Sequence, residues 1–433
     1  MTKAEDTDKT NQHKTTWRTM HYYWQEIKKY KWYSLGMIIT TPIVVFIRAI
    51  LAPLIFADLI EKASMGLSAE EMLTVAFWEI LGFFVLYIFN KVVLEELRLY
   101  WCWKMEVLAM YDLAVDCFKV VNDQSMQFHN NRFSGSLVSQ TNKFVWAFER
   151  LIDTVIWSLW PTLVYIGMVI IVLVPQAPWF AVGIVAFTAL YAVVSGFSFK
   201  KIAHLSDNVA AAEAKQTGQL ADSISNIISV KSYANEAHER HRYADFSKTT
   251  LTANNAQMRA TIKRDLQFNG VQIGITALIL VFLVYGRSWL GISVATLVLI
   301  VNYAQSIQGQ LWDINSIFKN INRVFGDAHE MTIILDMVDD VVDLPGAKEL
   351  ELREAAVSFN GIDFKHKDAK EAIFHGFTLN VKPGERIGLV GMSGSGKTTL
   401  TKLLLRFADV DAGEITISGQ NIKDITQHSL RKA

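Results

Sequence analysis

Six runs of this sequence, near residues 33–57, 73–94, 151–174, 178–198, 270–290 and 292–312, are each long and apolar enough to cross a hydrocarbon layer. Such a crossing takes roughly 20 helical residues. Composition points the same way. A content of 51% hydrophobic and 12% aromatic residues over 433 positions, with a positive mean hydropathy, exceeds what a soluble domain of that length needs to fill a core. The connections are unequal. About fifty polar, helix-patterned residues separate the second run from the third, and about seventy the fourth from the fifth, whereas the others are short. The helices should therefore extend far out of the bilayer on one side.

Charge placement assigns the side, because Lys and Arg accumulate on the cytoplasmic flank of membrane helices. The start of the chain carries Lys28, Lys29 and Lys31, and the long connections carry Arg98, Lys104, Lys119, Arg132, Lys143, Arg150, Lys215, Lys231, Arg240, Arg259 and Lys263, among others. The opposite short loops hold only Lys62 and Arg287. Both termini are expected in the cytoplasm of a multi-pass protein, in the bacterial inner (plasma) membrane. The start of the chain, up to about Lys31, has no signal-peptide pattern and reads as a cytoplasmic arm. A formal net charge of zero offers no basic surface for nucleic acid. Cys102 and Cys117 make no CxxC pair and are expected as free thiols.

The pattern changes at "LDMVDDVVDLPGAKEL", residues 335–350, where acidic residues with Pro345 and Gly346 read as a linker. Beyond it, "LREAAVSFNGIDFK" and "AIFHGFTLNVKPGERIGLVG" alternate as strands do, with Pro383 and Gly384 as a turn. "ERIGLV" is expected as a buried strand feeding a loop, and "KTTLTKLLLRF" as the helix leaving it. The loop between fits G-x-x-x-x-G-K-[ST] as Gly391, Met392, Ser393, Gly394, Ser395, Gly396, Lys397 and Thr398. Its glycines permit positive φ and close backbone approach, so that successive N–H groups converge on phosphate oxygens. Lys397 is positioned for the β and γ phosphates and the Thr398 hydroxyl for Mg²⁺, with Thr399 completing the candidate ATP-binding set.

Six crossings with two long cytoplasmic extensions, followed by a P-loop, resemble the exporter-type (type I) ABC transporter half-molecule. "FADVDAGEITISGQNIKDIT" (407–426), with Gly413, Ile415, Ile417 and Gly419 in G-x-I-x-I-x-G spacing, is similar to the stretch after the P-loop in that family. "FHNNRFSGSLVSQTNKF" (128–144) resembles its first coupling loop and "LADSISNIISVKSYANEAHERHRY" (220–243) its second long cytoplasmic segment. The resemblance implies an α-helical membrane domain of six transmembrane helices with a partial α/β P-loop domain behind it. The chain then divides into an arm (1–32), a membrane domain (33–330), a linker (331–350) and a partial ATP-binding domain (351–433). It implies ATP-driven export of a solute by a homo- or heterodimer of halves in contact with membrane lipid. Nucleotides are sandwiched between two soluble domains, and coupling helices are expected near Arg132–Val138 and Ala211–Thr217. A channel or sensor on the same scaffold, or an inactive fragment, is the alternative.

Two positions depart from the family's pattern. His366 stands where many members stack a tyrosine on adenine, and is either a stacking residue or a solvent-facing loop histidine; Gln140 stands where arginine is frequent. The resemblance also requires a signature motif, an Asp-Glu strand end and a switch histidine, none of which occurs before Ala433. No complete catalytic set is therefore expected, and the chain reads as cut short, with negligible turnover on its own.

Arg48 and Glu79 lie inside apolar runs, where a charge is costly without a partner or water. Their similar depth predicts an ion pair, which either borders the translocation path or clamps neighbouring helices. Trp78, Phe83, Phe84, Trp157, Trp160, Trp179 and Trp289 are expected mostly as interfacial anchors, and Pro42, Pro53 and Pro161 as helix kinks.

Overall fold

The computed structural model describes residues 3–64, 69–130, 132–176, 178–290, 293–337, 341–365, 371–392 and 394–433. Helices run in the order α1 (Lys3–Lys29), α2 (Lys31–Val45), α3 (Ala52–Ser64), α4 (Ala69–Phe89), α5 (Glu95–Asp123), α6 (Met126–Asn130), α7 (Ser134–Asp153), α8 (Trp160–Gln176), α9 (Pro178–Ser225), α10 (Ile227–Ser232), α11 (Glu236–Leu290) and α12 (Val294–Leu335). Strands β1 (Val357–Phe364) and β2 (Phe374–Val381), helix α13 (Lys397–Leu404), strands β3 (Ala412–Ile417) and β4 (Gln420–Asn421) and helix α14 (Gln427–Lys432) follow. The chain forms two compact units, one of residues 31–105 and 151–322, the other of residues 1–30, 106–150 and 323–433.

The first unit is wholly helical, as a hydrocarbon environment demands, since only internal partners can satisfy the backbone there. Among the described residues, three stretches, Lys31–Ser64, Thr74–Asp123 and Ser134–Pro175, are long and apolar enough to cross a membrane; Val294–Ile307 is a shorter apolar helix. Their contact core joins Val45, Ile50, Tyr165, Val169, Phe268 and Ile300. With lipid as apolar as these side chains, such contacts act through packing and not through escape from water.

Proline positions show how the backbone is kept satisfied. Pro53 and Pro161 each withhold an N–H from the carbonyl four residues earlier. Around those positions the chain widens into π-turns, Phe46–Leu51 and Thr154–Leu159, in which the Ala52 and Trp160 N–H groups reach back to Ile47 and Val155. The Tyr303 hydroxyl adds a donor to the Ile50 carbonyl at 3.4 Å. A third π-turn, Asn90–Leu94, has no proline; there the buried Asn90 amide donates to the Val44 carbonyl at 3.5 Å.

These turns bear on the expected Arg48–Glu79 pair, which the structure replaces. The Arg48 guanidinium lies 3.8 Å from Glu95, while Glu79 accepts from Lys62 at 2.5 Å, and Lys62 also meets Asp58 at 2.6 Å. Depth along a helix does not say which face a side chain occupies, and the π-turn holding Arg48 shifts that face relative to an α-helical count. Two tryptophans expected as anchors have structural partners. The Arg98 guanidinium stacks 4.3 Å from the Trp157 ring, and the Trp160 indole donates to the Ile38 carbonyl at 3.2 Å.

Helices α9 and α11 contain 48 and 55 residues. At ~1.5 Å per residue they run roughly 70 and 80 Å, more than twice the ~30 Å of a hydrocarbon core. They pair through Gln219 and Ser223, which both donate to Glu239, at 2.9 and 2.6 Å, and through Gln257, which donates to Ser206 at 2.6 Å. The coupling position expected at Ala211–Thr217 lies inside the uninterrupted α9. Its alanine-rich run has no breaker, so reversal waits until Asn226–Asn235, where the Asn226 amide caps Asp222 and Ala234 takes a left-handed φ of 50°. The Lys231 ammonium then pairs with Glu236 at 2.9 Å and holds that carboxyl below its usual range.

In the second unit, α1 is anchored to α7 and α12. Tyr23 is fully buried, its hydroxyl donating to the Phe144 carbonyl at 2.7 Å and its ring packed on Phe144 and Phe148. Thr19 meets Thr332 at 2.7 Å, and Asp336 accepts from both Arg18 and Tyr22 at 2.9 Å. Burial, with that bond to Asp336, pushes the Tyr22 phenol up to about 12. Arg150 donates to Asp327 at 2.6 Å. The segment expected as the first coupling region is a break between α6 and α7, with the Arg132 guanidinium 4.9 Å from the Phe128 ring. The Gln140 amide donates within α7 to Ser136 at 3.2 Å.

The sheet has the order β2-β1-β3-β4, each pairing antiparallel. Ser418 and Gly419, with φ of 50° and 74°, close β3 onto β4 as a two-residue turn in which both central residues need positive φ. One face carries Phe359, Ile362, Phe364 and Ile415 against Leu400 and Leu403 of α13. "ERIGLV" departs from expectation: residues 385–390 have no regular secondary structure and lie outside any ladder, with Ile387 and Leu389 each 42% exposed and Val390 94% exposed. A strand is held by its neighbours' hydrogen bonds, and none of the four described strands lies beside this segment.

Arg406 joins the sheet to the preceding linker. Its side chain is 2% exposed, with Nε donating to Asp409 at 3.0 Å and the guanidinium NH groups to the carbonyls of Val342 and Ile425 at 3.1 and 3.2 Å and to Asp343 at 3.5 Å. Breaking a buried charged network of this kind costs on the order of 3–5 kcal/mol. Arg406→Leu should therefore raise hydrogen exchange at the Lys348 and Thr426 amides, which bridge linker and sheet, and speed proteolysis near residues 341–350. Unchanged protection at both amides would show that the linker is held elsewhere.

Candidate functional site

The loop of residues 391–396 closes at its ends before α13 begins. The Ser395 amide donates to the Met392 carbonyl at 3.2 Å, and the Leu400 amide to the Gly396 carbonyl at 2.9 Å, which starts the helix. Leu400 and Leu403 then fix the buried face of α13 against the sheet, so the helix N-terminus and its free N–H groups are aimed from a rigid support.

Gly396 is the position where this architecture requires glycine. It caps α13 in the left-handed region at φ 89°, and a Cβ there would stand 2.7 Å from Ile373 Cγ2 and 2.9 Å from Phe374 Cζ. Backbone conformation and space thus both exclude a side chain.

The Lys397 ammonium folds back over the loop. It donates to the Gly391 carbonyl at 2.8 Å, the Met392 carbonyl at 2.7 Å and the Ser395 hydroxyl at 3.3 Å. These bonds bring a cation and a helix N-terminus together at one place, a combination suited to a polyanion. Thr398 is exposed in the first turn, its carbonyl accepting from Thr401 at 2.9 Å, and Thr399 is half-buried beside it. Gly394 is exposed, and Met392 is 84% exposed. Ser393 and His366 lie outside the described residues.

In the helical unit, a cavity of about 350 Å³ is lined by residues of three stretches, among them Arg48, Phe56, Tyr165, Asn302, Ser306 and Gln310. Arg48 belongs to this wall. Sequence reasoning passed over the last three, although the spacing of 302, 306 and 310 repeats every four residues and marks one polar helix face within an apolar run.

Comparison with known proteins agrees with this architecture. Residues 32–311 match the family described as the ABC transporter transmembrane region, and residues 374–433 match that described as ABC transporter. The chain belongs to the ABC transporter transmembrane family and is an integral membrane protein, a helical membrane domain followed by a sheet-containing portion of a nucleotide-binding domain.

Among relatives, an uncharacterized ABC transporter ATP-binding protein of Haemophilus influenzae is 28% identical over 313 residues, covering 71% of this chain and 50% of the relative. An ATM1-type heavy metal exporter of Novosphingobium aromaticivorans is 26% identical over 434 residues, covering 95% of this chain and 70% of the relative. A solved structure of a bacterial Atm1-family ABC exporter with ATP bound superposes with a TM-score of 0.75 at 24% identity, covering 94% of this chain and 70% of that one. The chain thus spans half the length of the first relative and 70% of the other two.

The geometry predicts a contrast between two glycines. Gly396→Ala must enter the left-handed region, at a cost of about 1 kcal/mol, and displace Ile373 and Phe374 as well. It should lower both thermal stability and affinity for nucleotide, whereas Gly388→Ala, whose Cβ meets nothing within 4 Å, should change neither. Thermal melts and fluorescent-nucleotide titrations of the two variants decide the point; equal behaviour would remove the special role of Gly396.

Proposed function

We propose that this chain works as a subunit of an ATP-driven exporter, pairing with a second half-transporter, identical or not, to move a solute across the bacterial inner membrane. The carrying observation is the convergence of Lys397 Nζ with the loop carbonyls and hydroxyl at the N-terminus of α13. On this reading Gly391 to Thr399 bind ATP, Ser393 among them, with Lys397 on the β and γ phosphates and Thr398 on Mg²⁺. His366 is the candidate for stacking on adenine in the same reading. The division into arm, membrane domain, linker and partial ATP-binding domain at 32, 330 and 350 belongs to the same reading, with both termini cytoplasmic.

The family relationship supports the export function, and the long α9–α11 pair supports extensions that carry nucleotide-driven movement to the membrane helices. Such coupling requires that nucleotide bind one arrangement of the domains more tightly than the other. The turn at Asn226–Asn235, where the second pair of long helices reverses, and the break at Arg132–Ser134 are the proposed coupling positions. Solute would pass by the cavity of Arg48, Tyr165 and Gln310. Within residues 1–433 the proposed set binds nucleotide but supplies no carboxylate for metal and attacking water, so hydrolysis would need groups that this set does not contain.

Two measurements test the proposal. Lys397→Ala should weaken Mg²⁺-ATP binding to the purified chain at least tenfold, because it removes the cation that faces the terminal phosphates. Wild-type affinity in that variant would refute the assignment. The purified 433-residue chain should bind ATP with negligible turnover; robust hydrolysis lost on Lys397→Ala would overturn the incomplete catalytic set.

A further inference from the structure

Beyond the export reading, the unit that contains the N-terminal helix carries a second site. A cavity of about 420 Å³ opens between α1, α5, α7 and the end of α12, walled by Glu26, Asp116 and Asp123 on its polar side and by Tyr22, Phe144 and Leu335 on its apolar side. Its charge is unbalanced. Lys29 is shared by three carboxylates, Glu26 at 2.8 Å, Asp112 at 3.4 Å and Asp116 at 4.0 Å, and among the described residues Lys119 is the one ammonium of the cavity wall. The wall itself holds three carboxylates, Glu26, Asp116 and Asp123, against that single ammonium, and Lys29, which does not line it, is divided between Glu26, Asp116 and the outlying Asp112.

Glu26 gives the second, independent indication. It is 4% exposed, and although Oε1 is bonded to Lys29, Oε2 has no hydrogen-bond partner. A buried carboxylate oxygen left without a donor is costly, and burial raises the pKa of this carboxyl despite the adjacent Lys29. A positively charged donor entering the cavity would supply the missing bond and offset the excess negative charge together.

We propose that this cavity binds an organic cation with an apolar body, its ammonium received by Glu26 and Asp116 and its body lying on Tyr22, Phe144 and Leu335. The volume is far larger than a bare metal ion requires, and the apolar wall offers such an ion no ligands. A bound amine would tie α1 to α5 and to the end of α12, the helix that leads into the linker.

The test uses the full chain in lipid nanodiscs, with phenethylamine as probe and 2-phenylethanol as its uncharged counterpart, followed by calorimetry. Saturable one-to-one binding of phenethylamine, at least tenfold tighter than 2-phenylethanol and weakened at least tenfold by Glu26→Gln, supports the site. Asp116→Asn, at an exposed position where folding is not at stake, should weaken binding in the same direction. Equal affinity for the uncharged compound would mean a merely apolar cavity. Undiminished binding in both variants, or displacement of phenethylamine by micromolar Mg²⁺, would overturn the proposal in favour of partition into lipid or a simple ion site. None of these outcomes depends on nucleotide, so failure here is separable from failure of the export reading.

Discussion

The absence of hydrogen-bonding solvent in hydrocarbon is the constraint on which the rest of the structure depends. It makes every membrane segment helical, and it also dictates what happens where helical bonding fails. Pro53 and Pro161 break the ladder, and the chain answers with the π-turns at Phe46–Leu51 and Thr154–Leu159 and with the Tyr303 hydroxyl on Ile50. Those local repairs have a functional consequence, because Arg48 sits in the first of them. Its side chain meets Glu95 and the polar cavity instead of Glu79. A device for satisfying backbone therefore also sets which charge lines that cavity.

A different solution operates in the sheet-containing unit, where a buried cation organises backbone. Arg406 lies just after α13, takes a left-handed φ of 50°, and gathers the carbonyls of Val342 and Ile425 with Asp343 and Asp409. Arg431 supports the same corner, donating to the Leu405 and Arg406 carbonyls at 3.1 Å and lying 4.9 Å from the Phe407 ring. The chain that enters the sheet is thus fastened to the end of the helix whose beginning carries the phosphate-binding pattern.

How much of this was legible in the sequence depended on whether the deciding interaction was local. The turn into α13 was legible because Gly394, Gly396 and Lys397 lie within a few residues of one another ahead of a helix-patterned run, and β1 and β2 were legible because "AVSFNGIDF" and "FHGFTLNV" alternate along their own length. The strand expected at 385–390 was not, since a strand exists only beside a neighbour and the apolar pattern of Ile387, Leu389 and Val390 says nothing about who that neighbour is. The coupling position expected at Ala211–Thr217 falls inside α9 because helix propensity along Ala210–Ser223 never signals a stop, and the chain reverses only at Asn226–Asn235. Arg48 was legible as a charge in need of a partner, but the identity of the partner depended on a π-turn with no periodic signature. Arg406 and Glu26 drew no notice at all, because burial of a charged residue is a tertiary property.

The energetics of the loop follow from the same local geometry. Lys397 spends three hydrogen bonds on the loop itself, so the proposed binding of a terminal phosphate there would be an exchange of partners, with the gain set by charge and not by bond count. The Gly391 and Met392 carbonyls that lose the ammonium must find water or move, and the loop is able to move because Met392 and Val390 are exposed and unpacked. Helix α13 is not, because Leu400 and Leu403 hold it to the sheet. Its eight residues, about 12 Å, therefore give the loop a fixed support that ends at Leu404, two residues before Arg406. Arg406 in turn grips Val342 and Asp343, so those linker residues share the same support.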